Sequence, residues 1–579
     1  MARSSIESSS ADSNPVTDTV TYPQAIELQP REDNGEPERK SGLSDYPARD
    51  IKGTKEGFRP SDEEADSKHD DRPKGLRFAL LFSCLLLGNL FVGYDSSCIV
   101  TLTPVITDQF HALDDLGWYS VAFLLAQSAT MLIYGQLYTI YSMKYMYLLS
   151  CAVFIIGSIL CAAAPTSPAF IVGRALSGLG AAGVRLTANV SILAHTTSLK
   201  HRSVYFAICG GVECFALAFG PLLSGSIAHY STWRISFWIV VPVSVVAITL
   251  LLISVGDLRS STKPQLSTSD RLKRLDLIGF AINVPMTICF VLGLVWAGTS
   301  YPWNNWRIIV LFAIAAALFA AFLFAEYKAG EDGMVPYKLL RQRTAGFATV
   351  ITFCNFASLS VVSYYLPVYF QAIRGANTLS SGLMYLPLAV SMAVTALAGG
   401  PLTAFVGYGN PGLISGGVLM SVGAGLITTL EPNTSAAKWI TFQIIYGIGV
   451  GLAFQPPYIA VQAALPENEV PKALVLLSFS QQLGGIVILT VAQNVFLAGL
   501  VHELSTIVPG VDSRTLLNSG ALGLIDAVPP PLREEAILIY NNAIRDVLYI
   551  ALGLACLVAV CSIGVEWKPV KKTKDKGSS

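Results

Sequence analysis

The sequence predicts an all-α membrane protein with fourteen transmembrane helices. Of its 579 residues, 52% are hydrophobic and 13% are charged, and the mean hydropathy is +0.53. A soluble domain carries about 25% charged residues, so this composition is typical of a chain that lies in the bilayer. Charged residues nevertheless recur inside the apolar stretches, as Asp95, Arg174, Arg185 and Glu213. We expect these side chains to face the interior of a helix bundle, because a charge exposed to lipid is costly.

Windows of about 20 mostly apolar residues, the length that crosses a bilayer, locate the spans. They are residues 78–105, 117–139, 145–164, 168–195, 203–225, 233–254, 274–298, 307–327, 346–371, 382–405, 411–430, 437–461, 472–499 and 545–565. We interpret them as two six-helix halves, 77–256 and 346–567. Residues 257–345 then hold a cytosolic linker, an inserted helix pair and the loop that follows it. A long loop at 500–544 is expected on the outer side.

The two ends of the chain are polar. Residues 1–75 contain 17 acidic and 11 basic residues and few apolar ones, which predicts a disordered cytosolic tail over 1–76. No apolar run precedes Arg77, so we expect no cleaved signal peptide. Lys and Arg in short loops mark the cytosolic side of a membrane. Their alternation along the loops, together with the basic tail at 568–579, predicts that both termini are cytosolic.

Several functional classes lack their sequence signatures. The ten cysteines all fall inside predicted spans, which argues against a disulfide framework, and no Cys or His spacing indicates a metal site. The chain contains no HExxH, GxSxG or GxxxxGK[ST] pattern. We therefore expect neither an enzyme nor an ATP-driven pump, with no cofactor and no nucleic-acid partner. A many-helix bundle with interior charges is most simply a transporter, with a membrane sensor as an alternative class.

Two acids within the spans are candidate proton carriers. Burial disfavours the charged form of a carboxylate, whereas a nearby arginine favours it. Asp95 in the first span therefore either exchanges a proton during function or is a permanently paired structural acid. Glu213 in the fifth span either carries a proton, contacts a cationic substrate or pairs with an arginine.

The fourth span carries two arginines on a face that is otherwise lined by small residues. Arg174, Gly178, Ala181 and Arg185 share this face, because 11 residues are close to three helical turns. Small residues allow a neighbouring helix to approach closely. An arginine there must meet an acid, a carbonyl or water, so Arg174 is either part of proton coupling or a structural salt-bridge partner.

Glycine patterns repeat weakly between the two halves. Gly178-Leu179-Gly180 in the fourth span is echoed by Gly447-Ile448-Gly449-Val450-Gly451 in the twelfth, and Gly220-Pro221 in the fifth by Gly484-Gly485 in the thirteenth. Repeats that enclose a midplane site are a common transporter plan. Pro221 removes one helical donor and kinks its helix, which suits either a moving hinge or a fixed packing kink.

Polar and aromatic residues of the second half are candidates for a substrate pathway. They are Gln371, Gln455, Gln462, Gln481, Gln482 and Phe479. Amides orient polar ligands without carrying charge, and a phenyl ring adds a stacking surface. The same amides are equally suited to hydrogen bonds between helices.

Several of these motifs resemble the major facilitator superfamily, in the fourteen-helix drug:proton antiporter branch and its fungal members. The resemblance rests on Arg174-Ala175-Leu176-Ser177-Gly178-Leu179-Gly180, on Gly220-Pro221-Leu222-Leu223-Ser224-Gly225, on Tyr94-Asp95-Ser96-Ser97 with Pro104, on Gly135-Gln136-Leu137-Tyr138 with Lys144, on Trp233-Arg234, and on Tyr365-Leu366-Pro367-Val368-Tyr369-Phe370-Gln371. It covers about residues 78–568 and leaves out only the tails. It implies the major facilitator fold, with Gly178, Gly180, Gly220, Pro221, Gly225, Gly135 and Lys144 serving conformational change.

The resemblance also implies a function. It indicates a secondary active transporter that exports a small amphipathic drug or secondary metabolite, such as a fungal toxin, in exchange for protons. A proton-coupled uptake carrier, for a siderophore or a basic amino acid, shares this fold and stays open as an alternative. We expect a monomer in the plasma membrane, with the vacuolar membrane as the alternative location. Asn433 matches N-x-[ST] in a short outer loop and is a candidate glycosylation site.

Overall fold

The computed structural model describes residues 75–112, 115, 117–195, 199–254, 275–298, 301–330, 333–335, 337–507 and 530–569. Within these ranges the chain is almost entirely helical, with no named strand and one isolated bridge between Ala297 and Tyr301. Fourteen of the described helical segments are long and apolar enough to cross a membrane, which confirms the predicted fold class.

Nine helices lie in the described residues of the first half and the inserted pair. They are α1 (Leu76–Phe110), α2 (Trp118–Ile140), α3 (Met143–Ala163), α4 (Ser167–His195), α5 (Leu199–Tyr230), α6 (Arg234–Trp238), α7 (Val240–Ser254), α8 (Leu277–Trp296) and α9 (Trp306–Ala329). The short α6 and the longer α7 together form the sixth span.

Eight further helices complete the described chain. They are α10 (Tyr337–Arg341), α11 (Arg343–Ala372), α12 (Thr378–Val406), α13 (Asn410–Ile427), α14 (Ala436–Phe454), α15 (Pro456–Ala464), α16 (Val470–Ile507) and α17 (Arg533–Ile563). The twelfth span is interrupted at Gln455, since Pro456 and Pro457 begin a new helix there. Proline lacks the donor that would continue the preceding hydrogen-bond ladder.

The last two spans are longer than the hydropathy windows predict. The helix α16 runs to Ile507, and α17 begins at Arg533 rather than near residue 545. The predicted outer loop 500–544 is therefore partly helical, and its central residues 508–529 lie outside the described ones. The hydropathy window ended near Arg545 because it locates only the residues that cross the apolar layer of the membrane. A helix can continue beyond that layer with polar residues.

Equivalent glycines make equivalent helix contacts in the two halves. A side chain on Gly178 of α4 would collide with the backbone of α2, and one on Gly180 with the backbone of α3. In the second half, Gly447 of α14 lies in the same way against α12, and Gly449 against α13. Such close approach is possible only with small residues. The repeat seen in the sequence therefore corresponds to a repeated packing arrangement.

The inserted pair lies at the periphery of the bundle. The helices α8 and α9 pack on each other, and α8 also contacts α2 and α16. Asn283 of α8 donates a hydrogen bond to the Ala129 carbonyl (3.2 Å), and Asn494 of α16 donates one to the Leu294 carbonyl (2.9 Å). Only 17% of the most apolar window of α9 is buried, so most of its surface is available to lipid.

The two halves meet mainly through α5 with α12 and through α2 with α16. An apolar cluster, here called the inter-half cluster, joins them at one end of the bundle. Its buried members are Phe206, Cys209, Leu339, Ala345, Ala348, Tyr458, Val461, Leu465, Val470, Ala473, Leu474, Leu476 and Leu477. These residues lie near the helix ends that carry the predicted cytosolic loops.

Candidate functional site

A small polar cavity of about 20 Å³ lies between the two halves. The first half contributes Asn89 of α1, Arg185 and Asn189 of α4, and Cys209, Gly210 and Glu213 of α5. The second half contributes Phe454, Gln455 and Tyr458 from the break between α14 and α15, and Ser478 and Gln481 from α16. A cavity needs roughly 10–15 Å³ of this kind to hold one water molecule, so the halves must move apart before a larger molecule can bind.

An ion pair forms part of the cavity wall. Arg185 of α4 donates a hydrogen bond from Nη1 to Glu213 Oε1 of α5. Both side chains are almost fully removed from solvent, with 7% and 11% of their surface exposed. Each charge in such a site depends on the other for compensation. The pair is therefore a buried ionisable group that faces the space between the halves.

The remaining cavity wall is built from amides, hydroxyls and rings. The Tyr458 hydroxyl donates to Gln481 Oε1 (2.7 Å), which holds two residues of the second half together. Asn189 of α4 donates to the Ser478 hydroxyl of α16 (3.3 Å), so a hydrogen bond crosses from one half to the other. Gln455 lies directly against Gly210, where any side chain would collide with its amide.

Asp95 and Arg174 form a second ion pair, which is enclosed by the first half. Arg174 Nη1 lies 2.7 Å from Asp95 Oδ2, and Arg174 Nε donates to the Tyr119 carbonyl (2.9 Å). The guanidinium also lies over the Phe123 ring, 4.5 Å from its centre. Both residues are 0% exposed and neither lines the cavity. In this conformation the pair holds α1, α2 and α4 together.

The Asp95–Arg174 pair is incompletely satisfied. Asp95 Oδ1 and Arg174 Nη2 are buried and have no hydrogen-bond partner among the described residues. An unpartnered buried polar atom of a charged group costs about 1–3 kcal/mol or more. Each partner of the pair therefore retains one polar atom that no described residue satisfies in this conformation.

The Gly-Pro element of α5 is fitted closely to α1. A side chain on Gly220 would collide with the Ser97 hydroxyl, which would then have to rotate away from α5. The Ser97 hydroxyl lies within hydrogen-bond distance of the Ala216 carbonyl (3.2 Å), and the Thr101 hydroxyl within that of the Pro221 carbonyl (3.2 Å), although each also has acceptors in its own helix. Hydroxyls of α1 therefore lie against carbonyls of α5 around Pro221.

The remaining predicted conformational residues differ in their surroundings. Gly225 has room, since its nearest neighbour would lie 3.9 Å from an added side chain. Gly135 of α2 packs against Val475 of α16, which is a contact between the halves. Lys144 lies half-buried at the start of α3.

The predicted pathway residues separate into two groups. Gln455 and Gln481 line the cavity. The other four do not line it. Gln371 donates to the Ser381 hydroxyl (3.3 Å), and Gln462 donates to the Tyr458 carbonyl (3.0 Å). Gln482 Nε2 is buried and has no partner in the described part of the chain, and Phe479 packs on an apolar cluster that includes α2. Asn433 is exposed in the loop between α13 and α14.

Sequence reasoning missed several cavity residues. Asn89, Asn189, Tyr458 and Ser478 were not singled out as pathway residues. The available signal was the one that identified Asp95, since an asparagine inside an apolar span is also costly to leave unpaired. Within the described residues, no group of three or more His, Cys, Asp or Glu residues is arranged to hold a metal ion.

Fourteen membrane-crossing helices, repeated packing in two halves and a polar cavity between them define a membrane transporter. The family model of the Major Facilitator Superfamily matches residues 85–489. The chain therefore belongs to this superfamily, whose members are transporters and not enzymes, as the sequence predicted.

The chain is similar to curated fungal proteins along nearly their whole length. It is 39% identical over 500 residues to the MFS-type efflux pump MFS1 of Arthroderma benhamiae, covering 86% of this chain and 93% of the relative. It is 36% identical over 501 residues to the efflux pump aflT of Aspergillus parasiticus, covering 86% and 97%. The rubrofusarin-specific efflux pump aurT of Gibberella zeae is 35% identical over 499 residues, covering 86% and 91%. The predicted resemblance to fungal efflux pumps is confirmed.

Solved structures share the fold at low sequence identity. The proton:xylose symporter XylE bound to 6-bromo-6-deoxy-D-glucose matches with a TM-score of 0.54 at 15% identity, covering 85% of this chain and 97% of that one. The human organic anion transporter MFSD10 matches with a TM-score of 0.51 at 12% identity, covering 83% and 100%. These similarities establish the major facilitator fold alone.

Proposed function

We propose that this chain exports a small amphipathic molecule of the secondary-metabolite type in exchange for protons. The observation that carries the proposal is Glu213, an ionisable side chain that faces the cavity between the halves and is paired with Arg185. The direction of transport is supported by relatives that are named efflux pumps. A fungal toxin is one substrate of this kind.

The Arg185–Glu213 pair offers a direct way to link a proton to a substrate. A proton on Glu213 removes the charge that holds Arg185, and the guanidinium then needs another partner in the cavity. Loss of the proton restores the pair. The cavity therefore presents different groups to a ligand when Glu213 is protonated and when it is charged. Exchange requires only that the substrate binds one of these two protonation states more tightly than the other.

The Asp95–Arg174 pair is proposed as a second protonation site. The helix α1 carries Asp95 and packs on α5 close to Glu213, because a side chain on Gly93 would lie 3.5 Å from the Glu213 carbonyl. A change at either pair therefore acts on the same α1–α5 contact. Arg174 anchors this contact to α2 and α4 through its bonds to Tyr119 and Asp95.

The proton gradient supplies enough energy for export. One charge that moves down a membrane potential releases about 2.3 kcal/mol per 100 mV. This energy sustains roughly a 50-fold substrate gradient, since about 1.4 kcal/mol corresponds to a factor of ten. A pH difference adds to this value.

The proposal includes the membrane topology, the location and the oligomeric state of the protein. We place both termini in the cytosol and the protein in the plasma membrane as a monomer, with the vacuolar membrane as the alternative. The partners are then lipid, protons and the substrate. Asn433, exposed between α13 and α14, is the proposed glycosylation site on the outer side.

Reconstitution into liposomes tests the proposal. The purified protein is enclosed with an internal pH-sensitive dye, and a panel of aromatic fungal metabolites is added under an imposed pH gradient. We expect a member of the panel to release protons down their gradient. Glu213→Gln should abolish this proton release, and Asp95→Asn should reduce it.

The same vesicles separate the alternatives. A protonophore should remove accumulation of the substrate, and opposite movement of proton and substrate identifies exchange. Movement of both in the same direction would instead identify a proton-coupled uptake carrier. Substrate movement that is unaffected by the pH gradient in both the wild type and Glu213→Gln would refute proton coupling.

A further inference from the structure

The charge of the cavity wall cancels. Of its eleven lining residues, only Arg185 and Glu213 are charged, and they neutralise each other by direct contact. The nearby Asp95–Arg174 pair also carries opposite charges and lies outside the lining. A ligand in the cavity therefore meets no net charge.

A charged ligand is disfavoured in such a site. It would give up its hydration without gaining a free counter-ion, and an uncompensated charge in a buried site is costly. To gain a counter-ion it would have to separate Arg185 from Glu213, which leaves the other partner of the pair buried and unpaired. An uncharged ligand avoids both costs.

The rest of the lining fits an uncharged, ring-containing ligand with hydrogen-bonding groups. Asn89, Asn189, Gln455 and Gln481 contribute four amides, each of which has both a donor and an acceptor. The Tyr458 hydroxyl donates to Gln481 Oε1, which leaves donation to a ligand to the amide nitrogen of Gln481.

Two rings add an apolar face to these amides. Phe454 and Tyr458 both line the cavity, and Tyr458 is itself stacked on Phe206 behind it, with ring centres 6.3 Å apart and an interplanar angle of 25°. A supported ring of this kind presents a fixed surface to a planar ligand.

We propose that the cavity selects uncharged, planar, hydrogen-bonding molecules, and that the Arg185–Glu213 pair sets this selectivity by cancelling the charge of the wall. The inference rests on the proposed function in one respect, namely that the substrate binds in this cavity. It goes further because it assigns the substrate class and the two residues that determine it.

Cys209 provides a binding readout that needs no gradient. It lines the cavity and is only 4% exposed, so its modification by a small water-soluble thiol reagent reports opening of the cavity to solvent. A bound ligand should protect it. Labelling of the Cys209→Ser variant gives the background from the other cysteines, and equilibrium dialysis of the purified protein gives an independent ranking of affinities.

The probe is one tricyclic polyphenol in three forms: the neutral compound, its sulfonate and its quaternary ammonium derivative. For the wild type we expect the neutral form to bind at least tenfold more tightly than either charged form. Glu213→Gln should shift the preference at least tenfold toward the sulfonate, and Arg185→Gln toward the ammonium form. The double variant Arg185→Gln/Glu213→Gln should again prefer the neutral form.

The outcomes separate this inference from the proposed function. The selectivity inference is overturned if a charged form binds the wild type as tightly as the neutral form or more tightly. It is also overturned if the single variants show no shift in preference, or if none of the three forms binds in dialysis. If a single-variant protein cannot be purified, the wild type and the double variant still test the inference, since both must prefer the neutral probe. If the charge series behaves as expected while no pH-driven transport occurs, the selectivity inference stands and proton exchange is refuted.

Discussion

At the residue scale, Asp95 and Arg174 show how the bundle tolerates buried charge. They lie 2.7 Å apart, and both are fully enclosed by the first half. Removing one partner of such a pair costs more than removing both, because the remaining charge is left buried and uncompensated. The cost of breaking a buried pair is about 3–5 kcal/mol.

This asymmetry gives a stability prediction. Asp95→Asn should lower the unfolding temperature of the purified protein markedly, whereas Asp95→Asn/Arg174→Gln should recover part of the loss. The measurement is thermal unfolding in detergent, followed by tryptophan fluorescence. Asp108→Asn is the matched control, since Asp108 lies exposed on the same helix and such changes usually stay within about 0.5 kcal/mol. A double variant less stable than Asp95→Asn would contradict the pairing argument.

The identities of the ionisable residues could be predicted from the sequence, but their partners could not. Asp95, Arg174 and Glu213 stand out because charge is rare in apolar spans. Which arginine meets which acid depends on the rotation and tilt of each helix, and these are set by packing between distant segments. For the same reason the sequence did not distinguish Gln481, which lines the cavity, from its neighbour Gln482.

At the element scale, the contact between α1 and α5 is the one most closely tied to the two ion pairs. It contains a glycine at the point of closest approach, a proline beside it, and hydroxyls of α1 that lie against carbonyls of α5. Extra volume in a packed interface forces backbone shifts that cost about 1–3 kcal/mol.

Gly220 and Gly225 form a matched pair for testing this contact. Gly220→Ala should reduce both thermal stability and export, because the added methyl group collides with the Ser97 hydroxyl. Gly225→Ala should have little effect, since its nearest neighbour would be 3.9 Å away. Adding Ser97→Gly to Gly220→Ala should restore part of both properties. Equal losses in the two single variants would show that close approach at Gly220 is not the cause.

The number of spans followed from hydropathy, whereas helix ends and breaks depended on other physics. Pro456 and Pro457 divide the twelfth span because they lack backbone donors, although the apolar pattern continues through them. The extension of α17 back to Arg533 adds polar residues that a window for apolar sequence excludes. Hydropathy detects the membrane slab, and the helices are not limited to it.

At the scale of the whole molecule, the inter-half cluster closes one side of the cavity. The inter-half cluster begins next to the cavity, at Cys209 and Tyr458, and extends toward the predicted cytosolic loops. Its apolar contacts must separate if a substrate is to enter from that side. Transport therefore requires the halves to move apart there and to return, in the manner of rigid-body rocking about a central site.

A reversible bridge between the halves tests this movement. Asn189 of α4 and Ser478 of α16 are neighbours in the cavity wall, where a 3.3 Å hydrogen bond joins the two halves. In Asn189→Cys/Ser478→Cys, a short disulfide-forming bifunctional thiol reagent should stop export in vesicles, and a reductant should restore it. The single-cysteine variants, treated in the same way, control for modification without bridging. Because transport is compared in one protein before and after reduction, any effect of the substitutions themselves cancels. Unchanged export by a fully bridged protein would mean that α4 and α16 stay together throughout the cycle, and that the halves do not separate at the cavity.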